Sequence, residues 1–278
     1  FVETKDRLSV FYHDRLVGEL AEVENKKIAF SYSAEWLESG FPISPFSLPL
    51  ESNVFIPNNY NFEGLFGVFS DSLPDAWGRL LFDRMLKKNG IDKSEISPIS
   101  RLAIVGDLGT GALCYRPNIE LKHGIENSFN KDFDKLAEDC AKVLQSKDVN
   151  NLDELYQFSG SSGGARPKIN IVESDSTWLV KFPSTGDFND IGFIEMKYME
   201  CANACGIPVV EHKLFPSIKC RGYFGSKRFD IVKGIRQHML TAAAIFEADY
   251  RTPCLEYENL IKLAGILSMN STEEKAKM

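Results

Sequence analysis

The chain opens with short apolar runs separated by polar turns. Leu8-Ser9-Val10-Phe11-Tyr12, Leu16-Val17-Gly18-Glu19-Leu20 and Ile28-Ala29-Phe30-Ser31-Tyr32 are divided by His13-Asp14 and Glu24-Asn25. This pattern predicts a small antiparallel sheet over 6–32. Residues 42–57 carry four prolines and read as loop. Helical spacing follows. Leu73-Pro74-Asp75 predicts a helix start, with Asp71 or Ser72 near the cap and Pro74 in the first turn. Trp77, Leu80, Leu81, Arg84 and Met85 then share one face, and Gly90 ends it. An amphipathic helix is expected over 133–144. Extended apolar runs at 168–173 and 177–183 flank Ser174-Asp175-Ser176 and read as a hairpin. Asn189 or Asp190 caps a predicted helix to about Ala204, with Ile194, Tyr198, Cys201 and Cys205 as its apolar stripe and Gly206 as its stop. Strands are expected over 209–215 and 223–229. After Ile231 the pattern turns helical, at 237–247 and 255–267, and 268–278 reads as a frayed end.

With 278 residues, 44% of them hydrophobic, the chain can bury one large core or two modest ones. A net charge of −7 argues against a broad DNA-binding face. No apolar run reaches the ~18–20 residues of a membrane span, and Phe1 begins no signal-peptide pattern, so a cytoplasmic location is expected. The six cysteines form no CxxC pair. Cys201 and Cys205 stand four apart on one helix face, but His212 falls on the next strand, so no metal site is expected and buried free thiols are the better reading. No G-x-S-x-G elbow accompanies the four histidines, which leaves a Ser-His-Asp hydrolase without support.

Two glycine-rich segments carry candidate chemistry. Asp107-Leu108-Gly109-Thr110-Gly111 has no cation before Arg116; a phosphate loop is one reading, and a tight turn between a helix and a strand over 112–115 is the preferred one. Ser159-Gly160-Ser161-Ser162-Gly163-Gly164-Ala165-Arg166-Pro167-Lys168 differs, because Arg166 and Lys168 follow the glycines directly. Glycine lets several backbone N–H groups face one anion, and the two cations add charge where a phosphate would sit. A flexible linker is the plain alternative. A glycine-rich loop, a strand, a turn and a strand bearing Lys181 is the layout of a kinase-type nucleotide lobe, and GxxxxGK[ST] is not matched. Glu195 reads either as a helix-dipole carboxylate or as the partner of Lys181. Phe229 reads as core or as an adenine contact, with core the default.

The loop resembles that of HipA-type serine/threonine kinases, the toxin halves of bacterial HipBA toxin–antitoxin modules. Further resemblances follow in order. They are Trp178-Leu179-Val180-Lys181-Phe182-Pro183 for the nucleotide-lysine strand, Glu195 at the helix entry, Lys227-Arg228-Phe229-Asp230 for the hinge, and Arg236-Gln237-His238-Met239 after it. Asp71-Ser72-Leu73-Pro74-Asp75-Ala76-Trp77-Gly78 and the 106–113 stretch resemble the family's N-terminal subdomain.

The resemblance implies an α+β fold: a small N-terminal antiparallel β/α subdomain over 1–118, a helical connection over 119–149, and a kinase-like domain over 150–278. That last domain comprises a β-rich nucleotide lobe and the first helices of an α-helical lobe. The resemblance also implies ATP and Mg²⁺ as cofactors. Nucleotide contacts would come from Ser162, Gly163, Gly164, Ala165, Lys168, Lys181, Glu195, Lys227 and Phe229. Ser161 aligns best with the family's autophosphorylated serine, and Ser162 is the nearest rival. The implied partner is a HipB-like helix-turn-helix antitoxin, with DNA reached only through it. The family's catalytic loop and later metal-binding aspartate are not found by Met278, so the chain is expected to stop before them, and no catalytic residue is assigned. A non-catalytic module that binds nucleotide or antitoxin is the competing expectation.

Overall fold

The computed structural model describes residues 6–119, 132–161 and 163–277. The expected polar connection over 122–131 and Ser162 lie outside the described residues. Strands β1 (Arg7–Tyr12), β2 (Arg15–Glu22) and β3 (Ile28–Tyr32) form from the three alternating runs. Helix α1 (Ala34–Ser39) starts where Ser33 accepts the Trp36 amide, and β4 (Val54–Phe55) and α2 (Gly67–Ser70) follow. Helix α3 (Ala76–Lys88) comes next, then α4 (Pro98–Val105), with Ser97 as N-cap and Pro98 in the first turn, then β5 (Leu113–Arg116). The five strands make one antiparallel sheet in the order β4-β3-β2-β1-β5. Its inner face, with Trp36, Phe69 and Leu102, forms the first core.

Helices α5 (Phe133–Leu144) and α6 (Leu152–Ser159) lead to the hairpin β6 (Lys168–Glu173) and β7 (Ser176–Lys181). Then come α7 (Ile191–Ala204), β8 (His212–Phe215) and β9 (Tyr223–Lys227), which complete a four-stranded sheet in the order β6-β7-β9-β8. The second core joins this sheet to α5, α6 and α3. Helix α3 therefore belongs by packing to the second unit: Trp77, Leu81 and Met85 bury beside Leu155, Ile169 and Phe182. Trp77 Nε1 donates to Ser159 Oγ at 3.0 Å and to the Lys168 carbonyl at 3.2 Å, which fixes α3 against the start of β6. The chain ends with β10 (Ile231–Val232), β11 (Ile235–Arg236), α8 (Ala242–Ile245), α9 (Tyr257–Leu267) and α10 (Ser271–Lys277).

The fold is the expected mixture of antiparallel sheets and helices, with ten helices among the described residues. Several local expectations fail. Pro74 lies outside α3, and Asp75 is the N-cap residue but spends its carboxylate elsewhere. The stripe of Ile194, Tyr198, Cys201 and Cys205 faces outward; Gly192 is the buried residue of α7. Helical spacing defines a face but not a partner to cover it. Of the six cysteines only Cys140 is fully buried. The segment after Ile231 is a hairpin, because Lys233 and Gly234 take positive φ and turn the chain back. The expected helix over 237–247 shrinks to α8, between the Thr241 cap and Glu247, whose φ is 50°. The expected frayed end is helical, with Lys277 paired to Glu273 and Glu274.

Candidate functional site

Antiparallel pairing places Lys168 of β6 directly opposite Lys181 of β7, so both side chains leave the same face of the sheet. Lys181 Nζ is ion-paired to Glu195 Oε1 of α7 and lies 5.3 Å above the Phe224 ring. Lys168 is 4% exposed, and its ammonium donates to the Gly163 carbonyl inside the loop. Burial holds the Lys168 ammonium below the usual lysine range; neighbouring Lys181 pushes the same way, while Asp75 and Glu195 oppose it. Two lysines thus leave one face of the sheet side by side, Lys181 held by the Glu195 carboxylate and Lys168 by the Gly163 carbonyl of the glycine-rich loop. Lysine ammonium groups so placed take up dispersed anionic charge, and phosphate is the common case.

The loop itself is fixed from outside its own sheet. Gly164 donates its N–H to Asp75 Oδ1 at 2.6 Å and accepts from the Trp77 N–H at 3.4 Å, so it sits on the N-terminus of α3. Gly164 has φ of 97°, and a Cβ there would stand 2.8 Å from the Lys168 ammonium, so only glycine leaves that cation its place. Ser161 is 5% exposed; its hydroxyl donates to Thr110 Oγ1 at 2.8 Å and accepts the Thr110 N–H. Arg166 pairs with Asp187 at 3.0 Å, away from the two lysines' ligands.

The hinge segment is wired to the same loop. Arg228 lies against the Asp230 carboxylate and donates to Asn170 Oδ1 at 3.1 Å. Asn170 in turn donates to the carbonyls of Phe158 at 3.1 Å and Ser159 at 3.3 Å, the residues just before the loop. Lys227 makes its ion pair with Glu211 at 3.1 Å, and Phe229 is 70% exposed, which overturns the default reading of Phe229 as core. The structure therefore brings Gly163, Gly164, Lys168, Lys181 and Glu195 together. Ala165 is exposed in the same loop, and Lys227 and Phe229 are held at the hinge without a contact to the lysine pair.

Asp75, Thr110, Asn170 and Arg236 also belong to the site's frame, and the sequence alone assigns none of them a role. A cavity of about 360 Å³ adjoins the loop, lined among others by Asp71, Asp75, Thr110, Ser161 and Gly163. Lys181 and Glu195 do not line it, so it is a space behind the loop and not the lysine site. Burial there pushes the Asp71 carboxyl up to about 6, against the two hydrogen bonds from Thr241 that favour its charged form. Among the described residues no group of His, Cys, Asp and Glu is arranged to hold a metal ion, and no helix is long and apolar enough to cross a membrane.

Comparison with known proteins places this geometry. Residues 8–116 match the family described as HipA N-terminal domain, and residues 160–278 match the HipA-like C-terminal domain. Among curated proteins no match is found. A solved structure of HipA from Shewanella oneidensis MR-1, in complex with HipB and its operator DNA, is similar with a TM-score of 0.66 at 17% identity. That similarity covers 97% of this chain and 66% of the other, so the chain spans about two thirds of its structural relative's length. With two family matches that together take in both sheets, the lysine pair and the glycine-rich loop, the chain belongs to the HipA-like family.

Proposed function

We propose that this chain carries the nucleotide-binding part of a HipA-like serine kinase, which transfers the γ-phosphoryl group of ATP to serine on a protein and on its own loop. The observation that carries the reading is the Lys181–Glu195 ion pair, with Lys168 beside it under the loop. In kinases a strand lysine held by a helix glutamate contacts the α- and β-phosphates. The residues present fit ATP: the Lys168 and Lys181 ammonium groups leave one face of the sheet beneath the loop, and glycine at 164 leaves the Lys168 ammonium its place. ATP brings the transferable phosphoryl group; Lys168 and Lys181 would bind its charge, and Glu195 would orient Lys181. Glu195 is committed to Lys181, and no metal-ligand set is grouped among the described residues, so no role for Mg²⁺ is assigned to a residue of this chain.

Ser161 is the acceptor on the loop in this reading. A phosphoryl group there adds roughly −1.5 to −2 charges to a loop that otherwise attracts anions, so self-modification should weaken ATP binding. The Shewanella relative was solved with HipB and operator DNA. We extend that partnership to this chain as a helix-turn-helix antitoxin that carries the DNA contact, in keeping with the net charge of −7.

The test is calorimetric titration of ATP, with and without Mg²⁺, into the chain and into Lys181→Ala. A lost charge-assisted phosphate contact predicts at least a ~10–100-fold weaker affinity in the variant. Equal affinity in both would remove the basis of the reading. Intact mass after incubation with ATP reports any phosphate gained, and Ser161→Ala should abolish that gain.

A further inference from the structure

The turn at 107–111 has a peculiar environment. Arg236, at the end of β11, donates from Nε to the Gly111 carbonyl at 2.5 Å and from its two terminal nitrogens to the carbonyls of Asp107 and Gly109. One guanidinium thus collects three carbonyls of a five-residue turn. This is the use for which its rigid fork of donors is suited, and which a lysine would not reproduce. The residue enclosed by those contacts, Thr110, is the one that holds Ser161 through both its N–H and its hydroxyl. The turn lies in the N-terminal family domain, whereas Ser161 and Arg236 lie in the C-terminal one. The C-terminal domain therefore shapes, with one residue, the receptor that hides another of its own residues.

We propose that the 107–111 turn is a latch for the glycine-rich loop, that it keeps the Ser161 hydroxyl unavailable to a phosphoryl donor, and that Arg236 is the positioning residue that sets its strength. Ser161 is 5% exposed, and although it lines the cavity behind the loop, Thr110 engages both hydrogen-bonding directions of its hydroxyl, so the oxygen is not free to attack a phosphoryl donor until the Thr110 contacts break. Arg236 follows the hinge directly: the Gln237 N–H donates to the Asp230 carbonyl at 2.8 Å, and Asp230 holds Arg228. A shift at the hinge would therefore reach the latch through a short, rigid path. The consequence for phosphorylation rests on the kinase reading above; the latch itself does not.

The test needs no phosphoryl transfer. In a Ser161→Cys chain, thiol labelling followed by peptide mass spectrometry reads loop release. Buried Cys140 reports any global unfolding, and exposed Cys201 reports reagent activity. The introduced loop thiol should label slowly. Adding Arg236→Ala should speed its labelling about tenfold, adding Arg236→Lys should speed it less, and Cys140 should stay protected throughout. Adding Thr110→Val to Ser161→Cys, with Arg236 intact, should also release the loop. Fast labelling with Arg236 and Thr110 in place, or unchanged labelling in both the Arg236→Ala and Thr110→Val backgrounds, would overturn the latch. If Cys140 becomes reactive in Arg236→Ala, the Arg236→Lys and Thr110→Val variants decide. A latch that holds while ATP binding fails would leave the latch standing and the kinase reading refuted.

Discussion

The two glycine-rich segments each hold a cation on backbone carbonyls but differ in how fully that cation is used. At 107–111 three carbonyls converge, and a guanidinium fills the space between them. At 160–168 the Gly164 N–H faces outward to a carboxylate, and a buried ammonium stands within the loop. At 107–111 three carbonyls use up the guanidinium, whereas at 160–168 the Lys168 ammonium meets the single Gly163 carbonyl and stands opposite Lys181, so the pair keeps charge for an anion. Glycine content is common to both and decides neither. The next cation along the chain separates them, since Lys168 follows one segment closely and the other has none until Arg116.

That contrast can be broken at several points. The largest effect is expected from Arg236→Ala, which strips three carbonyls of a charged partner. A loss of about 2–3 kcal/mol in urea unfolding should follow, since hydrogen bonds to charged groups are individually worth ~1.5–3 kcal/mol. If the turn were merely a surface loop, the loss would stay below ~0.5 kcal/mol.

Next come the glycines with positive φ. Gly111→Ala and Gly164→Ala each force an alanine into a left-handed conformation, at about 1 kcal/mol apiece. Only Gly164→Ala also meets the Lys168 ammonium, whereas a Cβ at Gly111 has its nearest atom, the Met239 nitrogen, at 3.5 Å. Calorimetry should therefore show roughly tenfold weaker ATP binding for Gly164→Ala, as expected for a displaced phosphate-binding cation, and no change for Gly111→Ala. Equal affinities would erase the distinction between the two segments.

Asp71 probes the space between the segments. Its folded value of about 6 stands above the ordinary 3.8, so the native state holds this proton more tightly than the unfolded chain. Its contribution to stability is therefore favourable at low pH, declines as pH rises from about 4 to 6, and is flat above that. Denaturation of the chain and of Asp71→Asn at pH 5 and pH 7 should show a gap that widens in favour of the asparagine variant by on the order of 1 kcal/mol, after allowance for solvent screening at the cavity mouth. A constant gap would place Asp71 in open solvent. The smallest effect is expected from Arg166→Ala, because the half-buried Arg166–Asp187 pair is still open to solvent on its arginine side and should contribute at most ~1 kcal/mol.

What the sequence made legible follows from locality. The hairpin was readable from its alternating runs, and Lys181 and Glu195, only 14 residues apart, were paired by the family resemblance where the residues alone left Glu195 open. The frame around them was not. Asp75 meets Gly164 across 89 residues, Ser161 meets Thr110 across 51, and Arg236 reaches its carbonyls across 125 or more. Such contacts join turns and caps, where no hydrophobic period records the partner. The same limit explains the Ile194–Tyr198–Cys201 stripe, whose spacing was helical but whose face is open. It also explains β10 and β11, each two residues long and signalled only by the Lys233-Gly234 turn.

The most direct measurement is amide hydrogen exchange of the chain with and without ATP, resolved by peptide. An anion-facing loop predicts slower exchange over 160–168 and in β7 when ATP is present, with 107–111 unchanged. Slower exchange confined to 107–111, or no change at 160–168 under saturating ATP, would contradict the assignment of the lysine pair and its loop as the nucleotide site.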